Sequence, residues 1–164
     1  AALEQAEGAL DILVNNAGFG ISGAAEFTDL DKAKALFDVG YFGLLACVKH
    51  ALPLLRKSAS PLIVNVGSLA AALPVPFQSV YSSAKAAVSA LTLCLVNELR
   101  PFGVRVCAVL PGDVRTGFTA KRDKSQEGRA LYGDRLERAV ARMEADEQNG
   151  MPPERIAAAV CRAA

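Results

Sequence analysis

The chain has 164 residues, of which 52% are hydrophobic and 21% charged, with a formal net charge of +1. This length allows one domain with a sizeable core. The near-neutral charge gives no reason to expect a nucleic acid or a membrane surface as a partner. No apolar run approaches the ~20 residues that a membrane span needs.

The four cysteines and the single histidine, His50, show no metal-ligand spacing. We therefore expect no metal site. Each cysteine stands among apolar neighbours, at Cys47, Cys94, Cys107 and Cys161. We interpret them as buried free thiols of a reducing compartment and expect a cytoplasmic protein.

Short apolar runs alternate with longer stretches of helical periodicity. Residues 12–14, 62–66 and 104–110 predict strands, since they lack polar alternation. Residues 28–57 predict a helix capped by Thr28, and residues 81–103 a second helix. This order predicts an α/β fold with a parallel sheet.

Residues 117–150 are rich in charge and have weak apolar spacing. They predict either a solvated surface helix or a mobile lid on the substrate side of a site. A last helix is expected in "PERIAAAVCRAA".

The first predicted strand runs into Gly18, Gly20 and Gly23, which spell GxGxxG. A loop that binds pyrophosphate needs a helix starting within the motif and a second strand soon after it. Here the next strand comes only at residue 62, so we reject this function for the glycines. We expect "NNAG", residues 15–18, to carry the ligand site at the strand end, and "GFGISG" to form a flexible entrance beside it.

Three residues form a candidate catalytic set. Ser68 follows the second strand, while Tyr81 and Lys85 lie four residues apart at a helix start and share one face. A tyrosine acts as an acid or base near neutral pH only if its pKa falls from ~10, and a nearby lysine cation favours that fall. Ser68 would hold a substrate oxygen beside the Tyr81 hydroxyl.

Together these motifs resemble the short-chain dehydrogenase/reductase family. The matching parts are "NNAG", Ser68, Tyr81 with Lys85, and "PGDVRT" at 111–116, where Ser68 stands thirteen residues before Tyr81 and Pro111 thirty after it. The resemblance implies a Rossmann-like doubly wound parallel sheet. It also implies NAD or NADP as cofactor and interconversion of a carbonyl and a secondary alcohol by hydride transfer.

The resemblance also assigns roles to residues. Tyr81 would be the general acid/base, Lys85 would lower its pKa and hold the nicotinamide ribose, and Ser68 would orient the substrate oxygen. The cofactor would be bound by Asn15, Ala17, Gly18, Tyr81, Lys85, Pro111, Gly112, Val114 and Thr116.

The chain departs from the family pattern in two places. Gly40, in "DVGYFG", stands where the family has an asparagine that helps to support a proton-relaying water. The family's TGxxxGxG turn would precede Ala1, so we expect residues 1–164 to be the C-terminal half of a single Rossmann-type domain. We expect this chain alone neither to bind a whole dinucleotide tightly nor to turn over.

One alternative remains beside the oxidoreductase: a decayed or regulatory relative that binds a nucleotide or partner without chemistry. A serine hydrolase is not expected, because no GxSxG surrounds Ser68. Leu73, Val75, Pro76 and Phe77 suggest an apolar ketone or alcohol as substrate. The two long helices would allow a homodimer or tetramer, and the choice between NAD and NADP is open.

Overall fold

The computed structural model describes residues 8–164. Its main sheet has three parallel strands in the order β1–β3–β4: β1 (Ile12–Asn15), β3 (Leu62–Val66) and β4 (Arg105–Val109). A second, smaller sheet pairs β2 (Ile21–Ser22) in parallel with β5 (Asp123–Lys124). All three predicted strands are present, and the α/β class is confirmed.

Helices connect and cover these strands. In chain order they are α1 (Leu30–Phe37), α2 (Gly43–Leu55), α3 (Ser79–Leu99), α4 (Phe118–Lys121), α5 (Arg129–Tyr132), α6 (Asp134–Gln148) and α7 (Pro153–Ala163). Short 3-10 turns occupy Ala25–Phe27, Leu69–Ala71 and Arg100–Phe102.

The first long helix starts and continues differently from the prediction. Asp29, not Thr28, caps α1, because its carboxylate accepts the backbone N–H groups of Asp31 (2.8 Å) and Lys32 (3.4 Å). A π-helical segment, Asp38–Phe42, joins α1 to α2. The predicted single helix is therefore continuous, but its π-helical turn contains one more residue than the α-helical turns on either side.

The core lies between the sheet and helices α2 and α3. Ile63 of β3 is fully buried and packs with Leu55 of α2 and Val88 of α3. The cysteines were predicted to be buried, and this is wrong. All four are free thiols, with Cys47, Cys94 and Cys161 exposed and Cys107 partly buried. Apolar neighbours in sequence are not neighbours on one helix face, which explains the error.

Two helices are long and apolar enough to cross a membrane by length and composition, Leu30–Leu55 and Ser79–Phe102. The sequence did not indicate them as membrane spans, because polar residues interrupt the apolar residues in both helices. Only 22% and 28% of their apolar windows are buried, and both helices contribute to the cluster around Ile63. The expectation that no membrane is a partner stays a prediction.

The segment 117–150 folds onto its surroundings. Helix α6 buries Leu136, Val140 and Met143 against Phe77 and Tyr132. Strand β5 pairs with β2, whose Ile21 and Ser22 are 6% and 1% exposed. The expected flexible entrance is therefore a packed strand. Its partner lies about a hundred residues away in sequence, so no local pattern could indicate the pairing.

Candidate functional site

A cavity of about 850 Å³ opens at the carboxyl ends of the three main strands. This edge of a parallel α/β sheet is where such folds bind ligands. The structure brings most of the predicted site residues into its lining: Gly18, Ser68, Tyr81, Lys85, Pro111, Gly112, Val114 and Thr116.

Ser68, Tyr81 and Lys85 meet in one wall of this cavity. Ser68 caps the start of the 3-10 turn after β3, and its Oγ accepts the Ala70 N–H at 3.1 Å. Its side chain is also hydrogen-bonded to Tyr81. Lys85 Nζ donates to the Val66 carbonyl at 3.0 Å and lies 5.8 Å from the centroid of the Tyr81 ring.

The environment shifts both titratable groups. Burial raises the pKa of Tyr81, and the hydrogen bond with Ser68 is the strongest influence that lowers it. Burial lowers the pKa of Lys85. The lowering of the Tyr81 pKa by Lys85 stays a prediction, since in this structure Lys85 Nζ donates to the Val66 carbonyl. At neutral pH Tyr81 is a protonated hydroxyl.

Only part of the "NNAG" segment faces the cavity. Asn15 Nδ2 donates to Asn65 Oδ1 at 2.9 Å, so the Asn15 side chain is turned into the sheet. Asn15 and Ala17 lie outside the cavity lining, whereas Asn16 and Gly18 belong to it. Asn16 was missed, although side chains that alternate along an extended segment place neighbours on opposite sides.

The "PGDVRT" loop is held in place by the chain before α7. The Met151 N–H donates to the Asp113 carbonyl, and the Arg115 N–H donates to the Met151 carbonyl, both at 3.0 Å. A Cβ on Gly150 would stand 2.4 Å from the Asp113 carbonyl oxygen, so only glycine permits this approach. The loop is thereby fixed in the wall of the cavity.

Two other segments complete the cavity. Helix α7 contributes one apolar side with helical spacing, Pro153, Ile156, Ala157 and Val160. That spacing was visible in the sequence, but we did not connect it with the site. From residues 117–150 come Phe118, Met143 and Glu147. The predicted lid segment therefore lines the cavity, and its mobility stays a prediction.

Among residues 8–164 no group of three or more His, Cys, Asp or Glu side chains could hold a metal ion. The polar groups of the cavity are instead hydroxyl, amide, amine and carboxylate side chains on separate elements.

Comparison with known proteins identifies the family. The sequence profile described as short chain dehydrogenase matches residues 1–127. The chain belongs to the short-chain dehydrogenase family. A 3-ketodihydrosphingosine reductase from Bacteroides thetaiotaomicron is 35% identical over 158 residues, which cover 95% of this chain and 59% of that relative.

Solved structures of short-chain dehydrogenases agree. One from Streptomyces avermitilis has a TM-score of 0.79 at 32% identity, covering 93% of this chain and 55% of that one. One from Burkholderia phymatum, in complex with NAD, has a TM-score of 0.72 at 27% identity, covering 87% and 53%. The Rossmann-like fold is confirmed. The chain spans between half and three fifths of the length of these relatives.

Proposed function

We propose that this short-chain dehydrogenase chain belongs to an NAD(P)-dependent oxidoreductase that interconverts a carbonyl and a secondary alcohol. The observation that carries the proposal is the meeting of Ser68, Tyr81 and Lys85 in one cavity wall. A hydroxyl pair beside an amine suits proton transfer to a carbonyl oxygen.

The residues present fit the nicotinamide half of a dinucleotide. Gly18 leaves open space, since an added Cβ would lie 3.9 Å from Lys85 Nζ and meet no nearer atom. The family relative from Burkholderia phymatum was solved with NAD. NAD or NADP, when bound, supplies or accepts the hydride. Gly18, Lys85, Val114 and Thr116 would hold it, with Asn16 added to the predicted set.

The protein groups handle the proton. In reduction the Tyr81 hydroxyl donates its proton to the carbonyl oxygen, and the Ser68 hydroxyl donates a hydrogen bond to the same atom. In oxidation Tyr81 takes the proton back. Burial raises the pKa of Tyr81, so at neutral pH its hydroxyl carries the proton that reduction requires.

An apolar ketone or secondary alcohol is the proposed substrate. The cavity presents apolar side chains at the substrate side, among them Leu73, Val75, Met143 and Ile156. The Bacteroides relative is named for reduction of a ketone, 3-ketodihydrosphingosine. An apolar wall binds an apolar chain because it removes that surface from water.

We also propose that the whole protein is a homo-oligomer and that it is cytoplasmic. Exposed apolar side chains on the two long helices support a homodimer or tetramer of the whole protein; they are Phe42, Leu45, Leu93 and Val96. The four free thiols support a cytoplasmic location.

The test uses protein expressed from its complete coding sequence. We expect oxidation of NADH or NADPH in the presence of apolar ketones. Tyr81→Phe should lower turnover by about 10²- to 10⁴-fold, as loss of a positioned proton donor does. The control is Tyr132→Phe, which removes a hydroxyl bonded to Glu26 on the outer side of the lid segment. Cofactor binding without turnover on a broad ketone panel would support the non-catalytic alternative.

A further inference from the structure

A buried ion pair joins the two ends of the lid segment. Arg122, directly after α4, donates from Nη2 to Oε1 of Glu147 in the last turn of α6. Thr119 Oγ1 donates to the other carboxylate oxygen, Oε2, at 2.6 Å. The side chains of Arg122 and Glu147 are only 1% and 14% exposed. Both ends of the carboxylate are therefore occupied, and α4 is tied to α6.

This pair adjoins the proposed catalytic tyrosine. The guanidinium carbon of Arg122 lies 5.6 Å from the centroid of the Phe118 ring, and that ring lies 5.8 Å from the Tyr81 ring. Phe118, Glu147 and Tyr81 all line the cavity. The ion pair thus supports the aromatic contact that forms one side of the site.

Stabilisation of the fold alone does not explain why the ion pair between Arg122 and Glu147 is buried. Burying two charges costs about as much as their attraction returns, and apolar side chains of similar volume often stabilise as well. Within the described residues, Nε and Nη1 of Arg122 are buried without a hydrogen-bond partner. A charged pair kept under these conditions beside Tyr81 points to an effect on the site.

We propose that Arg122 and Glu147 are positioning residues of the reaction: they hold Phe118 against the Tyr81 ring and bring two opposing charges close to Tyr81. This inference rests on the proposed function of Tyr81, but its test does not require turnover.

The groups that face Tyr81 come from three sides. Lys85 lies on its own helix and Ser68 in the turn after β3, while the charges of Arg122 and Glu147 come from the lid segment. Tyr81 also packs against the apolar cluster that contains Ile21 and Leu36. Glu147 raises the pKa of Tyr81, and Arg122 lowers it by a smaller effect. Removing the charge of Glu147 should therefore lower the pKa of Tyr81, and removing the charge of Arg122 should raise it.

The experiment measures Tyr81 directly by NMR, with tyrosine labelled at the ring Cζ carbon and Tyr81→Phe used to assign the signal. Protein from the complete coding sequence is titrated as the parent, Glu147→Gln and Arg122→Gln. We expect the Tyr81 midpoint to fall in Glu147→Gln and to rise, by a smaller amount, in Arg122→Gln, because a nearby anion disfavours the phenolate and a nearby cation favours it. Asp146→Asn, which removes the adjacent exposed carboxylate, should leave the midpoint unchanged.

A second variant keeps the inference testable if either single change unfolds the protein. Arg122→Glu with Glu147→Arg restores a pair with its charges exchanged. Because position 147 has the larger influence, a cation there should lower the Tyr81 midpoint. The inference would be overturned if the Tyr81 midpoint of the single variants agreed with that of the parent or moved in the same direction in both. It would also be overturned if the Tyr81 midpoint did not move in the exchanged pair. Absence of ketone reduction with opposite shifts would overturn only the proposed function.

Discussion

Asn15 and Asn65 face each other across β1 and β3 and share a hydrogen bond of 2.9 Å from Nδ2 to Oδ1. Asn65 Nδ2 then donates to Thr92 Oγ1 at 2.9 Å, and Thr92 Oγ1 donates to the Val88 carbonyl at 2.7 Å. Asn65 is fully buried. A polar chain thus links the sheet edge to the helix that carries the proposed acid/base.

Substitution of Asn65 should destabilise the fold strongly. Asn65→Leu keeps the size but leaves the buried Asn15 amide without its acceptor, which costs about 1–3 kcal/mol in the free energy of unfolding. Asn97→Leu is the control, because Asn97 Nδ2 makes an exposed bond of 3.2 Å to the Leu93 carbonyl on the same helix. Asn97→Leu should change the free energy of unfolding by no more than about 0.5 kcal/mol. Urea unfolding measures both, and equal losses would contradict the role of the buried chain.

The shifted pKa values of Lys85 and Tyr81 predict the alkaline stability profile. Burial lowers the Lys85 pKa from 10.5, so the unfolded state binds more protons between the lowered value and 10.5, and stability rises with pH in that range. Burial raises the Tyr81 pKa from 10.0, so stability falls as pH rises beyond 10.0. Urea midpoints from neutral pH upward should show a rise that Lys85→Met removes and a fall that Tyr81→Phe removes. A Lys85→Met profile parallel to that of the parent would count against the lowered pKa.

The strands and the central site residues were predictable because they are local patterns. Three apolar runs without polar alternation correctly indicated a parallel sheet, but only the central strand β3 is buried on both faces, since Ile12 and Val14 of β1 are 40% and 43% exposed. The strand ends placed Ser68 and Gly18 at one edge of the sheet. Tyr81 and Lys85 were placed together by helical spacing alone. Their presence in one cavity wall agrees with the sequence, while their chemical roles stay predictions.

The missed features depend on contacts between distant parts of the chain. The β2–β5 pairing and the ion pair between Arg122 and Glu147 leave no periodic signal, since each partner satisfies the other only in the folded protein. Asn15 was assigned to the cofactor because the motif contains it, whereas its side chain pairs with Asn65. A motif identifies a segment but does not say which of its side chains points toward the ligand.

Gly20, in the GxGxxG sequence after β1, has a packing function that can be tested. A Cβ on Gly20 would stand 3.0 Å from Phe118 Cζ, so Gly20→Ala should push Phe118 toward the cavity. We expect the KM for a ketone to rise by up to about tenfold, since repacking of this size costs ~1 kcal/mol or more. The cofactor Kd should not change. Gly117→Ala is the control, because its Cβ would meet nothing within 4 Å. A weakened cofactor Kd in Gly20→Ala would restore the pyrophosphate-loop interpretation.

Gly40 offers a test of the departure from the family asparagine. It lies in the π-helical segment Asp38–Phe42, and a Cβ there would meet nothing within 4 Å, so a side chain fits without repacking. Gly40→Ala and Gly40→Asn should both fold. Alanine should stabilise by about 0.5–1 kcal/mol, because glycine loses more backbone freedom on folding.

Only the asparagine adds an amide that could support a proton-relaying water. If proton relay limits the parent, kcat should rise in Gly40→Asn by up to about 10²-fold, the lower end of what positioned proton transfer contributes. It should not rise in Gly40→Ala, whose effect is confined to the backbone. The gain should be largest below the pH at which Tyr81 loses its proton, because there the hydroxyl must be reprotonated in each reductive cycle. Equal kcat values in the two variants would show that the glycine does not limit the reaction.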